Sequence, residues 1–116
     1  MNIILIVDDN VMYIKYLSSI LKSDYTLLIA KDGECALKLA TKYSPDLIIS
    51  DVDMPNMSGY ELLLLLKDSE ETGKIPLVFL SSLDSPDDSK EGLRLGPWII
   101  FTKPQGLKSL NHVYKI

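Results

Sequence analysis

Four short runs of apolar residues are continuous along the chain, with no polar side chain inside them. A strand that is buried on both faces has this pattern, and such strands belong to parallel sheets that helices cover on both sides. Residues 25–30 form a fifth and weaker candidate. The pattern therefore predicts an α/β fold built on a parallel sheet. The four runs are residues 3–7, 47–49, 77–80 and 99–101.

Helical patterns fill the intervals between these runs. Ser58 is followed three residues later by Glu61, which is the sequence of a capping box. Ser85 and Pro86 begin a further helix, and Gly96 is a typical helix terminator. With right-handed crossovers, this β-α alternation predicts a doubly wound parallel sheet. The predicted helices cover residues 10–22, 33–43, 58–67, a segment from 85 onward, and 105–116.

Size and composition allow one globular domain, residues 1–116, of which 47% are hydrophobic and 24% charged. The chain has 12 Lys and Arg against 16 Asp and Glu, and a net charge of -4. This acidic balance argues against nucleic-acid binding by the domain, because phosphate contacts need a basic face. No apolar run approaches the roughly 20 residues of a membrane helix, and residues 1–7 lack the basic start of a signal peptide. We therefore expect a cytosolic protein.

Cysteine and histidine are too few for two common kinds of site. Cys35 is the single cysteine and His112 the single histidine, so neither an intrachain disulfide nor a structural zinc site is possible. Cys35 lies on the apolar side of its predicted helix, and we expect it to be a small core residue.

Polar residues follow the apolar runs at the point where each run ends. Asp8 and Asp9 follow the first run, and Asp51 follows the run at 47–49 after one serine. Ser81 and Lys103 follow the last two runs. The carboxyl ends of parallel strands lie at one edge of a sheet, where open α/β folds form their sites. The sequence thus predicts three carboxylates, a hydroxyl and an ammonium group at one edge.

Such a cluster of carboxylates needs a cation. Two like charges about 4 Å apart repel by about 4 kcal/mol at an effective dielectric constant near 20. With Lys103 included, the predicted cluster carries a net charge of -2, which one divalent ion neutralises. Ligands that are all oxygen favour Mg²⁺ or Mn²⁺ over zinc or copper. Mg²⁺ and a lysine form a clamp for a phosphoryl group, and an aspartate can be the nucleophile that accepts it.

Taken in order, these motifs resemble the receiver domain of two-component response regulators over nearly the whole chain. Each motif alone is weak, but the ordered set is highly specific. The resemblance implies a flavodoxin-like fold, in which a five-stranded sheet of order 2-1-3-4-5 has helices on both faces. The motifs are the pair Asp8-Asp9, Asp51, Met54-Pro55 and Gly59 in the segment DVDMPNMSGYE, Ser81, and Lys103-Pro104.

The resemblance also implies roles for the acidic residues. Asp51 is then the phosphoacceptor and also a ligand of the metal ion. Asp9 is a direct ligand of Mg²⁺ (or Mn²⁺) and Asp8 a water-mediated one, while the backbone carbonyl of Asp53 is the third protein ligand. A sensor histidine kinase or a phosphotransfer protein supplies the phosphoryl group. The domain itself is a signalling module rather than an enzyme, and catalyses only its own phosphotransfer and dephosphorylation.

The remaining family positions belong to the switch. The resemblance implies that the Ser81 hydroxyl follows the phosphoryl group and that Lys103 forms an ion pair with it. Ile100 stands where the family usually has a Tyr or Phe that rotates on phosphorylation. An effector or a second copy of the domain is expected to bind at the face formed by helix 4, strand 5 and helix 5. Leu64 and Leu65 replace residues that are usually polar, and their role is either extra packing or a partner surface.

Two other interpretations remain open. One is a pseudo-receiver that binds proteins without phosphorylation, which Ile100 favours and the intact acidic residues oppose. The other is a phosphohydrolase of the haloacid-dehalogenase type. The segment Asp51-Val52-Asp53 resembles the DxD motif of that family. In that family, however, the motif follows the first strand. The final predicted helix is short for a receiver, so we expect the chain to be excised from a longer protein or trimmed.

Overall fold

The computed structural model describes residues 2–81 and 99–102, with residues 81 and 99–102 described by their backbone. The helices predicted from residue 85 onward and over 105–116 lie outside this part of the chain. Within it, strands and helices alternate up to β4. The elements are β1 Ile3–Val7, α1 Val11–Leu21, β2 Thr26–Ala30, α2 Gly33–Tyr43, β3 Leu47–Asp51, α3 Gly59–Lys67, β4 Leu77–Ser81 and β5 Ile99–Thr102.

All strand pairings are parallel, in the order β2-β1-β3-β4-β5. β1 is an interior strand and pairs with β2 on one side and β3 on the other. The register places Val7 opposite Ser50, so the residues that follow β1 lie beside the end of β3. The predicted α/β class with a parallel sheet is confirmed.

Helices cover both faces of the sheet because successive residues of a strand point to opposite sides. Leu5 and Val7 of β1 pack into one core, together with residues of α2 and α3. Ile4 and Ile6 pack into a second core on the other face, against α1. Every side chain of β1 after Ile3 is therefore buried, which explains the uninterrupted apolar run.

Each of the helices α1, α2 and α3 begins at a polar side chain that caps it. Asn10 accepts a hydrogen bond from the Met12 amide at the start of α1, at 2.9 Å. The Asp32 carboxylate accepts one from the Cys35 amide at 2.7 Å. Ser58 accepts one from the amide of Glu61 at 3.1 Å, which confirms the serine half of the predicted capping box. The positions of the helices therefore follow from side chains that satisfy otherwise unpaired amides.

Asp46 joins the start of β1 to the segment before β3. Its carboxylate Oδ2 accepts a hydrogen bond from the amide of Ile3 at 2.7 Å. The amide of Asp46 in turn donates to the carbonyl oxygen of Ile3 at 2.8 Å. These two bonds hold the two segments in one relative position, at the edge of the sheet opposite to the carboxyl ends of the strands.

The expectation for Cys35 was wrong. The residues of α2 that are buried are Gly33, Ala36 and Ala40, whereas Cys35 is exposed. The three buried residues recur at helical spacing along one face of α2, and they are the smallest residues of the helix. Cys35 does not lie on that face. Among the described residues, no helix has the length and apolar character that crossing a bilayer requires.

Candidate functional site

The acidic residues that follow β1 and end β3 lie together. Asp8 and Asp9 come directly after β1, and Asp51 is the last residue of β3. One carboxylate oxygen from each of the three lies within 4.8 Å of the others. The two strands are neighbours in the sheet, so the parallel topology alone is enough to bring these side chains to one edge.

The three carboxylates differ in their exposure to solvent. Asp8 is 1% exposed and Asp51 is 7% exposed, whereas Asp9 is exposed. Oδ1 of Asp8 accepts a hydrogen bond from the amide of Asn10 at 2.9 Å, which holds this carboxylate at the start of α1. The site therefore has two acidic groups set into the protein and one at its mouth.

Two hydrogen bonds hold the backbone at Asp51 and Val52. The buried hydroxyl of Ser50 donates to the carbonyl oxygen of Asp51 at 2.9 Å. Gly59 donates its amide to the carbonyl of Val52 at 2.7 Å, and a Cβ at position 59 would lie 2.3 Å from the Asp51 carbonyl oxygen. Only glycine allows this approach. The sequence did not predict that Ser50 holds the Asp51 carbonyl, because a single serine before an aspartate does not indicate such a hydrogen bond.

The other predicted site residues have less of their surroundings described. Asp53 lies two residues past Asp51 and is exposed. Ser81 is the last residue of β4, opposite Thr102 of β5, and Ile100 of β5 lies opposite Phe79. Lys103 lies outside the described residues. The structure thus brings together Asp8, Asp9 and Asp51, and places Ser81 and Ile100 on neighbouring strands.

The donor set fits a hard divalent cation. All three converging groups are carboxylates, and such oxygens are the ligands that Mg²⁺ and Mn²⁺ take, whereas zinc and copper sites use imidazole and thiolate. Three negative charges whose ligand oxygens lie within 4.8 Å of one another also repel strongly unless a cation balances them. The site therefore combines a metal-binding donor set with an aspartate at the end of a strand.

Comparison with known proteins identifies the family. The family model for the response regulator receiver domain matches residues 4–115. The chain belongs to this family, and it is a receiver domain of two-component signalling with the flavodoxin-like α/β fold. Domains of this family bind Mg²⁺ or Mn²⁺ at an acidic pocket, and the carboxylate cluster found here corresponds to such a pocket.

Particular relatives show the settings in which similar domains occur. The chain is 37% identical over 114 residues to a probable cyclic di-GMP phosphodiesterase of Vibrio cholerae, covering 96% of the chain and 26% of that protein. It is 43% identical over 105 residues to histidine kinase P4 of Formosa agariphila, covering 90% of the chain and 8% of that protein. The chain therefore spans about a quarter of the first relative and less than a tenth of the second.

A solved structure has the same fold. The receiver domain of a signal transduction histidine kinase from Syntrophus aciditrophicus superposes with a TM-score of 0.82 at 36% identity, covering 97% of this chain and 87% of that one. Nothing in these comparisons favours a pseudo-receiver or a phosphohydrolase over the receiver assignment.

Proposed function

We propose that Asp51 accepts a phosphoryl group from a sensor histidine kinase or a phosphotransfer protein, and that its phosphorylation switches a protein-binding surface. The observation that carries this proposal is the position of Asp51. Its carboxylate lies at the end of β3, within 4.8 Å of the ligand oxygens of Asp8 and Asp9. In this proposal Asp51 is the nucleophile, and the neighbouring pair Asp8 and Asp9 binds the cation.

The chemistry is a displacement at phosphorus. A carboxylate oxygen of Asp51 bonds to the phosphorus while the phosphorus–nitrogen bond of a phosphohistidine donor breaks, and the donor imidazole keeps the bonding electron pair. The product is an acyl phosphate on Asp51, which water later hydrolyses. Asp8, Asp9, Asp51 and the backbone carbonyl of Asp53 are the groups that would hold the divalent ion. A bound ion supplies positive charge against the carboxylates and the phosphoryl oxygens.

Ser81 and Lys103 complete the proposed site. Ser81 ends β4 next to the strand that carries Asp51, and Lys103 directly follows Thr102, the residue paired with Ser81. We assign the Ser81 hydroxyl to a phosphoryl oxygen and the Lys103 ammonium to the anionic product. The complete domain in this proposal is the five-stranded receiver, with further helices supplied by residues 82–98 and 103–116.

Ile100 gives the proposed switch an unusual form. An isoleucine side chain is β-branched and stiff at χ1, with no ring to rotate. The change on phosphorylation is therefore small at this position, and it reaches the face of helix 4, strand 5 and helix 5 through shifts in residues 82–95. A homodimer or an effector binds at that face. A cytoplasmic location is part of the proposal, since it is typical of the family.

The test is phosphorylation by acetyl phosphate in the presence of Mg²⁺. Intact-protein mass spectrometry should show the addition of one phosphoryl group to the wild-type protein and none to Asp51→Asn. Asp53→Asn is the matched control, because it removes an exposed carboxylate two residues away and should still be labelled. Equal labelling of the Asp51→Asn protein, with its circular dichroism spectrum unchanged, contradicts the assignment.

A further inference from the structure

Helix α3 contains more leucines than it buries in the core. Its sequence contains five consecutive leucines, and only three of them are buried. Leu62, Leu63 and Leu66 are at most 2% exposed, whereas Leu64 is 54% and Leu65 is 43% exposed. Among the residues that the structure describes, Leu64 and Leu65 are therefore not used for extra packing inside the domain, which was one of the two alternatives left open by the sequence.

The exposed leucines form a stripe with two acidic residues. Glu61 precedes them by three and four residues, and Asp68 follows them by four and three. Residues at these spacings lie on one face of a helix, and both acidic side chains are exposed. We call these four residues, Glu61, Leu64, Leu65 and Asp68, the α3 stripe. It has an apolar centre and a carboxylate at each end.

Helix stability explains Glu61, which lies in the first turn of α3, but not the other three residues of the α3 stripe. Asp68 is the C-terminal cap of α3, and a negative charge there opposes the helix dipole. Two neighbouring exposed leucines leave apolar surface in water. The basic residue of this turn, Lys67, is not on the stripe, and its ammonium group donates to the carbonyl oxygen of Gly73. The stripe itself contains two acidic residues, Glu61 and Asp68, and no basic one.

The charges decide between a second copy and a different partner. If two copies packed α3 against α3 in antiparallel fashion, Glu61 of one copy would face Asp68 of the other. In parallel packing, each acidic residue would face itself. Both arrangements oppose like charges, which disfavours self-association through this face. A partner helix with an apolar stripe between lysine or arginine residues is complementary to the α3 stripe, because its cations face Glu61 and Asp68 and its apolar residues face the two leucines.

We propose that the α3 stripe is a docking surface for a basic amphipathic helix of another protein. Two leucines at adjacent positions fit the ridge-and-groove packing of one helix on another, and the two flanking carboxylates select cationic residues one turn away on either side. The contact is small and its charges are exposed, so binding is weak and falls as salt concentration rises.

A designed peptide tests this proposal. The probe is a peptide of about 18 residues with leucines along one helical face and lysines on both sides of them. A control peptide has the same sequence with glutamate in place of each lysine. Amide chemical shifts of the isotopically labelled domain are followed during titration at low salt. The lysine peptide should shift residues 59–68 most, and the double variant Leu64→Gln/Leu65→Gln should bind it at least about tenfold more weakly.

Ile29→Thr is the control variant, because Ile29 is a similarly exposed apolar side chain on β2, and its affinity for the peptide should equal that of wild type. Three outcomes overturn the proposal. The first is equal affinity of the Leu64→Gln/Leu65→Gln protein, which places binding at another acidic surface such as the Asp8, Asp9 and Asp51 cluster. The second is equal binding of the glutamate peptide. The third is a concentration-dependent dimer of the wild type that the same double variant abolishes, which makes a second copy the occupant.

Discussion

Gly59 is the residue whose substitution should disturb the site most directly. A Cβ there would lie 2.3 Å from the carbonyl oxygen of Asp51 and 3.0 Å from the ring of Phe79. The first neighbour is backbone and cannot turn aside, so the end of β3 has to move. Gly59→Ala should lower the free energy of unfolding by about 1–3 kcal/mol, measured by urea denaturation.

Gly33→Ala is the matched control for this substitution. The Cβ at position 33 would lie 2.5 Å from Sδ of Met57, but a methionine side chain has three rotatable bonds and can move away. Alanine is also the better helix former in α2. The loss should therefore be clearly smaller than for Gly59→Ala. Equal losses would show that the glycine at 59 is no more constrained than the one at 33.

Burial at single residues was the hardest property to predict from the sequence. The leucines of α3 are continuous, so their order contains no periodicity from which the buried side could be identified, and contact with the sheet decides it. Asp8 and Asp9 are a similar case, because two adjacent aspartates give no sign that the first is buried and the second exposed. The convergence of these residues with Asp51 could be predicted, because parallel strands end at one edge.

At the level of elements, the end of α2 offers a stabilising substitution. Ser44, the C-terminal cap of α2, has a φ of 47° and a ψ of 63°, which is the left-handed region. A side chain is unfavourable in this region, and glycine is the usual residue at such helix ends. Ser44→Gly should raise the free energy of unfolding by up to about 1 kcal/mol, measured by thermal and urea denaturation.

Ser44→Ala separates the backbone effect from loss of the hydroxyl group. Alanine retains a Cβ in the left-handed conformation, so this variant should gain nothing. If Ala and Gly stabilise the protein equally, the conformation of residue 44 is not the cause.

The elements themselves followed closely from the sequence. α2 has the predicted bounds, 33–43, because Asp32 caps it and small apolar residues recur at helical spacing. The weaker strand candidate at 25–30 corresponds to β2, Thr26–Ala30. Its pattern is weaker because β2 is an edge strand that leaves Thr26 and Ile29 exposed. Solvent on part of the strand permits a polar residue and removes the continuous apolar signal.

For the whole molecule, the carboxylate cluster should couple folding to divalent ions. Three acidic groups converge only in the folded chain, so an ion that binds there stabilises the native state and not the unfolded one. At a free Mg²⁺ concentration of about 100 times the dissociation constant, the gain is about 2.7 kcal/mol. The unfolding temperature should therefore rise with added Mg²⁺ in a calorimetric titration.

Asp9→Asn provides the opposite test, since Asp9 is the exposed member of the cluster. Removing one of three like charges should raise the stability of the metal-free protein and weaken its response to Mg²⁺. Asp53→Asn, which leaves the three converging carboxylates intact, should respond to Mg²⁺ much as wild type does. An Asp9→Asn protein with an undiminished Mg²⁺ response would contradict the metal site.

The bonds between Asp46 and Ile3 have a consequence for how β1 is aligned in the sheet. Both faces of β1 are apolar and both are buried, so sliding the strand by one residue would exchange one hydrophobic set for the other. Hydrophobic burial alone thus does not distinguish the native alignment of β1 from an alignment shifted by one residue. The two hydrogen bonds between Ile3 and Asp46 distinguish them, because a shifted strand would lose both bonds. The alignment of Asp8 and Asp9 with Asp51 is consequently set in part at the far end of β1, roughly 13 Å from Val7 at about 3.3 Å per residue.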